Sequence, residues 1–447
     1  MEKETILELL GETPMRVVEL RSIFSGMNAV NIADLFKGES KETALRIFRL
    51  LPKGIAAEVF SYLDPDEQQL LIEALSDKEV RYIMNRLFMD DAVDLIEEMP
   101  ANVVKRVLQN TNPEKRKIIN EMLRYPDDSA GSIMTTEYVE LSEDLTVQEA
   151  FDEIRRNGVN KETIYTCYVI DNDRLLVGVA SAKTLLLSGP GDKIGVLMET
   201  GFVSAHTTDD QELIAGQFRK YGLLAMPVVD NENRLVGIIT VDDVVHIIEE
   251  ENTEDFEKMS ALKPSEEPYL KTGVLTQVRN RIVWLLFLML SATITGRIIS
   301  GFEEALAVLP VLIAFIPMLM DTGGNAGSQT STLIIRGMAL GEVEFKDIAA
   351  ALWKEVRIGF LCGLILGIIN FIRIYLTSGK NSLLALTVTI SLLLTLIIAK
   401  SLGCFLPMLA KKLKADPAIM ASPIITTIVD GCSLTIYFAM ARFMFSL

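Results

Sequence analysis

After residue 280 the chain holds five apolar stretches, each long enough to cross a lipid bilayer and set off from the next by short charged loops. Hydrocarbon offers the backbone no water, so such a stretch must satisfy its own N–H and C=O groups as a helix, and about 20 residues cover the ~30 Å core. The first runs from Arg281 to about Ser300, the second from about Ala305 to Ile335 and the third between Arg357 and Tyr375. The fourth runs from Ser382 to about Ala410 and the fifth from about Pro417 to Met444. Pro317, Gly323, Gly324 and Gly327 predict a break in the second helix. Broken backbone at that depth is tolerated only inside protein or beside a wet cavity.

Ionisable groups inside spans are costly and usually functional. Asp321 lies at the centre of the second stretch and Asp430 inside the fifth. Thr322, Asn325, Ser328, Gln329, Thr330 and Ser331 surround the first with oxygens. Hard cations such as Mg2+ take oxygen ligands and give up water reluctantly, so a few carboxylates and hydroxyls suit a still-hydrated ion. Structural alternatives stand beside this: Asp321 as a capping or Arg-paired carboxylate, Asp430 as the partner of Arg297 or Lys400. Asp416 precedes Pro417, which reads as a helix start with proline at its first position and as a carboxylate at the mouth of the last span.

Lys271, Arg279 and Arg281 precede the first span, Lys346, Lys354 and Arg357 the third, and Lys411, Lys412 and Lys414 the fifth. With five spans these loops share one side, which the positive-inside bias makes cytoplasmic. Arg373 and Lys380 on the other side weaken the bias without reversing it. The expected protein is a multi-pass protein of the cell (inner) membrane, with cytoplasmic N-terminal domains and the C-terminus outside. No basic segment followed by an apolar run opens the chain, so no secretory leader is expected.

Residues 1–270 carry 28 basic and 51 acidic side chains, those after them 15 and 9. So acidic a segment excludes nucleic acid, whose phosphates need Lys and Arg, and suits cations. Four cysteines without metal-site spacing read as buried small residues in a reducing compartment.

Residues 1–130 read as all-helical with an internal repeat. Leu51-Pro52 and Asp64-Pro65 return as Met99-Pro100 and Asn112-Pro113, at an offset of 48. Helix pairs stacked into a superhelix follow. Between the copies, Asp91, Asp94 and Glu98 share one face of a helix and could form half of a cation bridge. A second duplication follows at an offset of 59, where Val169-Ile-Asp171-Asn172 and Val177-Gly178 return as Val228-Val-Asp230-Asn231 and Val236-Gly237. Ile133-Met134 is likewise echoed by Leu197-Met198.

This α/β duplication resembles a tandem CBS-domain pair. Thr240-Val-Asp242-Asp243 is close to the CBS pattern whose Asp contacts a ribose, whereas Ser181-Ala-Lys183-Thr184 lacks the acid. That resemblance leaves nucleotide binding, ATP for example, open at Thr240 and Asp243 only. Six acids within Glu249–Glu257 then form a helix leading through a Pro264–Tyr269 linker to the first span.

With MDTGGNAGSQ around Asp321, Asp416-Pro-Ala, Ser422-Pro423 with Thr426, Thr427 and Asp430, and TVDD followed by EEENTED, the whole chain resembles the MgtE family of Mg2+ channels. The resemblance implies an all-α superhelical domain (1–130), CBS domains at 131–196 and 197–250, a plug or connecting helix within 251–275, and a five-helix transmembrane pore domain (276–447). It implies a homodimer in the lipid bilayer that takes up Mg2+ and is closed by cytoplasmic Mg2+. The implied pore residues are Asp430, Asp416, Asp321, Asn325, Ser328, Ser422 and Thr426. The implied regulatory metal ligands are Asp91, Asp94, Asp242, Asp243, Glu250, Glu251, Glu254 and Asp255.

A zinc protease is excluded, because both histidines, His206 and His246, lie in the soluble half and no His-Glu-x-x-His occurs. No Gly-x-Ser-x-Gly or Walker motif appears, so an enzyme is not expected. An acid-bearing pore argues against anions. A proton- or ion-coupled divalent-cation (Mg2+/Co2+) transporter remains the alternative, with Asp321 or Asp430 as relay.

Overall fold

The structure, a computed structural model, describes residues 6, 10, 17–265, 269–378 and 380–446, with the backbone alone for Glu304, Ala305 and Ser422. It divides into two compact units, Met1–Ile248 and Glu249–Leu447.

In the first unit, short helices follow one another at Lys41–Leu50, Ala56–Ser61, Pro65–Ala74, Asp77–Met84, Met89–Glu98, Ala101–Asn110 and Pro113–Met122. Pro65 and Pro113 each occupy the first turn of a helix, where no N–H is missed. The helices Lys41–Leu50 and Met89–Glu98 also correspond at the offset of 48. The acidic helix is therefore the first helix of the second copy, not a spacer between copies. Its Ala92, Val93, Leu95 and Ile96 are buried, and Asp90 and Asp91 complement the dipole of its first turn. One core joins Phe36, Phe60, Leu71, Ile83 and Val107 to Met226, Val228 and Ile239 of the α/β part.

The α/β part holds two three-stranded sheets of the same topology. Strands β1 (Glu140–Ser142), β2 (Thr166–Ile170) and β3 (Leu176–Ser181) form one, and β4 (Ala205–His206), β5 (Ala225–Val229) and β6 (Leu235–Thr240) the other. In each, the first pair is parallel and the second antiparallel, with Val169 opposite Gly178 and Val228 opposite Gly237. The echoed segments are exchanged: Thr135 pairs with Ile238 of the second sheet, and Glu199 with Val179 of the first. The exchange explains both glycines. A Cβ at Gly237 would lie 2.5 Å from Met134 Sδ and 2.9 Å from the Thr135 carbonyl, and one at Gly178 would lie 2.7 Å from Met198 Sδ.

Among the described residues of the second unit, four helices are long and apolar enough to cross a membrane, within Val274–Ser300, Phe345–Thr377, Ser382–Lys412 and Pro417–Phe445. A further helix, Ile316–Ala339, is 24 residues long and more polar. The expected break in it is absent. Pro317 sits in its first turn, where proline is tolerated, and the glycines serve close packing instead. A Cβ at Gly324 would lie 3.0 Å from Thr426 Cγ2, and one at Gly327 would lie 2.7 Å from Ile425 Cγ2. One helix runs from Val241 to Met259, across the point in the chain where the first unit gives way to the second. It ends well short of residue 275, in a turn where Ala261 has φ 54°. Of the Pro264–Tyr269 linker, residues 266–268 lie outside the described residues.

Gly237→Val should therefore destabilise the soluble unit by about 1–3 kcal/mol, because the Thr135 backbone cannot yield as a side-chain end can. Thermal unfolding followed by circular dichroism would read this as a lowered midpoint, and an unchanged midpoint would contradict the exchange of segments.

Candidate functional site

Groups of carboxylates lie in both units. In the membrane-type unit, Asp321, Asn325 and Ser328 recur at helical spacing along Ile316–Ala339 and share one face. On the helix Ser422–Phe445, residues 422, 426 and 430 form the matching stripe, although the Ser422 side chain lies outside the described residues. The glycine contacts above bring the two helices together. Asp321 Oδ1 accepts a hydrogen bond from Asn325 Nδ2 at 3.1 Å. Thr426 Oγ1 donates to the Pro423 carbonyl at 3.0 Å, which aims its lone pairs away from its own helix. Asp321 and Asn325 are exposed on this face, and Asp430 is half-buried.

Asp321 is the one titratable group whose charge acts on Asp430 among the described residues. Asp321 lies inside its helix rather than at a cap, and among the described residues no ion pair joins it to an arginine or Asp430 to Arg297. Lys400 turns elsewhere: its Nζ lies 3.3 Å from Thr330 Oγ1, which donates at 2.8 Å to Glu355 Oε2. Lys400, Thr330 and Glu355 are all buried. This chain across three helices escaped the sequence reading, because spacing along one helix says nothing of partners on two others.

Asp416 starts a helical turn, as its place before Pro417 suggests, and also meets a partner that the sequence reading did not name. Its Oδ1 accepts from the Ala418 N–H at 2.8 Å, capping the turn Pro417–Met420. Its Oδ2 lies 2.8 Å from Lys258 Nζ, at the end of the helix Val241–Met259. Lys258 also meets Glu254 at 2.7 Å. Glu250, Glu251 and Asp255 lie on the same helix.

In the soluble unit, Asp91, Asp94 and Glu98 line a polar cavity of about 230 Å3 together with Asp64 and Gln68. Asp243 acts on Asp91 and Asp94 across the boundary between the helical repeat and the second CBS copy. Asp242 is close enough to act on Asp91 as well. Asp90 and Glu162 join them, and neither was expected. Glu162 lies in an irregular segment after the helix Val147–Asn157, where no periodicity marks it. Glu137 accepts from the Met89 N–H at 3.3 Å at the start of the acidic helix. Lys115 acts on this cluster, and burial pulls its own pKa down against the carboxylates around it.

Burial, then the charge of Asp243, pushes the Asp91 carboxyl up to about 6. Burial and the neighbouring Asp91 push Asp94 up to about 8, even though its side chain keeps a solvent edge. Burial and Asp243 push Glu162 up to about 8. Asp243 is raised by burial and held back by Thr240, whose Oγ1 donates to Asp243 Oδ2 at 2.6 Å. Thr240 and Asp243 are thus brought together at the start of one helix. In the first copy Thr184 replaces the acid, at 2.8 Å from Ser181 Oγ. Among the described residues no three His, Cys, Asp or Glu side chains converge as ligands to one bare metal ion. The arrangement suits ions that keep part of their water.

These raised carboxyls bind protons more tightly in the folded unit than in an unfolded chain, where they titrate near pH 4. Their contribution to stability is therefore complete below about pH 4 and is lost as pH rises through about 6 to about 8. Without divalent cations, the thermal midpoint should be higher at about pH 5 than at about pH 8, and millimolar Mg2+ should narrow the gap. A midpoint that is flat or rises toward pH 8 would show that the carboxylates are not crowded.

Comparison with known proteins gives these sites a context. Residues 316–440 match the divalent cation transporter family MgtE, residues 27–128 the MgtE intracellular N domain, and residues 130–189 and 194–250 CBS domains. The chain is 36% identical over 413 residues to the magnesium transporter MgtE of Thermus thermophilus, covering 92% of this chain and 90% of that one. It is 33% identical over 430 residues to the magnesium transporter MgtE of Bacillus subtilis, covering 95% and 94%. Among solved structures, it is similar to the cytosolic domain of the Mg2+ channel MgtE in complex with ATP, with 34% identity, a TM-score of 0.51, and coverage of 55% of this chain and 100% of that one. The soluble part of a magnesium transporter gives a TM-score of 0.53 at 28% identity, covering 56% of this chain and 99% of that one. With the N domain, the CBS pair and the apolar helices matched in order and over nearly its whole length, the chain belongs to the MgtE family of magnesium transporters.

Proposed function

We propose that the chain is a Mg2+-selective channel for magnesium uptake, closed by cytoplasmic Mg2+ that binds its acidic soluble part. One observation carries the reading. Asp321 and Asp430 face each other's charge on two packed apolar helices, and among the described residues no Lys or Arg neutralises either. A pair of this kind is costly in a membrane unless it is wet and meets cations. Asn325, Ser328, Ser422 and Thr426 extend it into two polar stripes, and Asp416 stands at the cytoplasmic mouth. Asp321 and Asn325 lie on an open face of the chain, which lipid would not tolerate. A second copy covers that face, so the pore lies in a homodimer with five membrane helices per chain, N-terminal domains in the cytoplasm and the C-terminus outside.

Closure follows from charge. Asp91, Asp94, Asp242 and Asp243, with Glu250, Glu251, Glu254 and Asp255, repel one another when no cation is present. Several weakly bound Mg2+ ions hold them together. Driving a switch from 1:99 to 99:1 takes about 5.5 kcal/mol of differential binding, which several ions can share. A relative's cytosolic domain is known in complex with ATP. Here ATP fits the second CBS copy only, with Asp243 toward the ribose and Thr240 orienting it.

The buried chain Lys400–Thr330–Glu355 favours a second reading, a proton- or ion-coupled divalent-cation transporter, because it offers a hydrogen-bonded path among ionisable groups.

Mg2+ influx into liposomes bearing the purified protein, with no pH gradient, separates these readings. The channel should conduct, and Asp430→Ala should lower flux about tenfold or more, as loss of ~1.4 kcal/mol at the limiting step would. Flux that requires a proton gradient would favour coupling, and absence of Mg2+ flux would remove the substrate. Neutralising Asp91, Asp94 and Asp243 together should leave transport intact and shift inhibition by cytoplasmic Mg2+ to higher concentration; wild-type inhibition would relocate the sensor.

A further inference from the structure

The contact that ties the helix Val241–Met259 to the mouth of the last apolar helix is made by a lysine, not by a metal. Lys258 Nζ lies 2.8 Å from Asp416 Oδ2 and 2.7 Å from Glu254 Oε1. The pair with Asp416 is largely withdrawn from water, with side-chain exposures of 23% and 29%. Its geometry is fixed from both sides. Asp416 is oriented by the Ala418 N–H. The neighbouring Met259 packs on the cluster that contains Ile334 and Met338.

We infer that Lys258 is a built-in counter-cation at the pore mouth, which holds the connecting helix against Asp416 when no metal is bound and must leave before a divalent ion can use the same oxygens. The inference rests on the gated-transport reading above. An ammonium is a compact monovalent charge with three donors, whereas Mg2+ demands near-octahedral oxygens and keeps several waters. The Asp416 oxygen that accepts Lys258 cannot serve both at once. Lys258 therefore keeps a fraction of the molecules closed at low Mg2+. Without it, Glu254 and Asp416 face each other as like charges and the mouth opens unless a divalent ion fills the place.

The test restores the charge on one preparation. Lys258→Cys protein is treated either with methyl methanethiosulfonate, which leaves the position neutral, or with aminoethyl methanethiosulfonate, which rebuilds an ammonium. Wild-type protein treated alike controls for the four native cysteines, two of them buried. After reconstitution, Mg2+ efflux into medium with no Mg2+ on the sensor side should be about 5-fold or more higher for the neutral adduct, a typical coupling between two sites. The aminoethyl adduct should return to the wild-type rate, and all three should converge at millimolar Mg2+. Equal rates for both adducts, or a lower rate for the neutral one, would overturn the counter-cation. If wild-type protein passed no Mg2+ at all, the transport reading would fail instead.

Discussion

Carboxylates held close together with little water between them need a positive charge, and this need recurs throughout the molecule. Coulomb repulsion grows as water is excluded, so each group must take up a proton, a lysine or a metal ion. The first two are visible among the described residues. Asp91, Asp94 and Glu162 hold protons to unusually high pH. Asp416 and Glu254 share Lys258. Among the described residues, Asp321 and Asp430 have each other's charge and the amide of Asn325 beside them, and no lysine or arginine. On the reading proposed above, a passing cation supplies the missing charge.

The approach of those helices depends on residues without side chains. Gly323, Gly324 and Gly327 let the helix Ile316–Ala339 lie against Thr426, Val429 and Ser433, and the Gly327 carbonyl sits against Gly403 of the helix Ser382–Lys412. In lipid there is no hydrophobic drive between helices, so close backbone packing and interhelical hydrogen bonds must hold them. The buried Lys400–Thr330–Glu355 chain supplies such bonds one turn further along. Packing and polarity thus come from one sequence segment. The glycines that bring the carboxylates together are spaced among the oxygens that make the face polar.

Duplication made most of the soluble fold legible. Pro65 and Pro113 mark equivalent helix starts, where a missing N–H costs nothing, and Gly178 and Gly237 equivalent strand positions, where a Cβ would clash. Helical spacing singled out Asp91 and Asp94, the cost of a charge in an apolar stretch Asp321 and Asp430, and the CBS pattern Asp243. Three things were not. A strand's pattern does not say which sheet it joins, so the exchange of Thr135 and Glu199 stayed hidden. Glycines read as helix breakers, because propensity measured in water ignores the gain from close packing in lipid. Partners distant in sequence, such as Lys258 with Asp416 or Glu162 with Asp243, leave no periodic trace.

The helix Val241–Met259 is where these constraints meet. It carries Asp242 and Asp243 in its first turn and Lys258 in its last. Between them lie six acids in Glu249–Glu257, and like charges three and four residues apart destabilise a helix. Lys258 pairs with Glu254 at the end of the run, and Glu257 accepts from the Ser265 N–H at 2.9 Å. A cation bound along such a run lowers the repulsion between its charges. A stiff helix transmits displacement, whereas a frayed one does not. An acidic run of this kind can therefore make the stiffness of a helix depend on the cations around it.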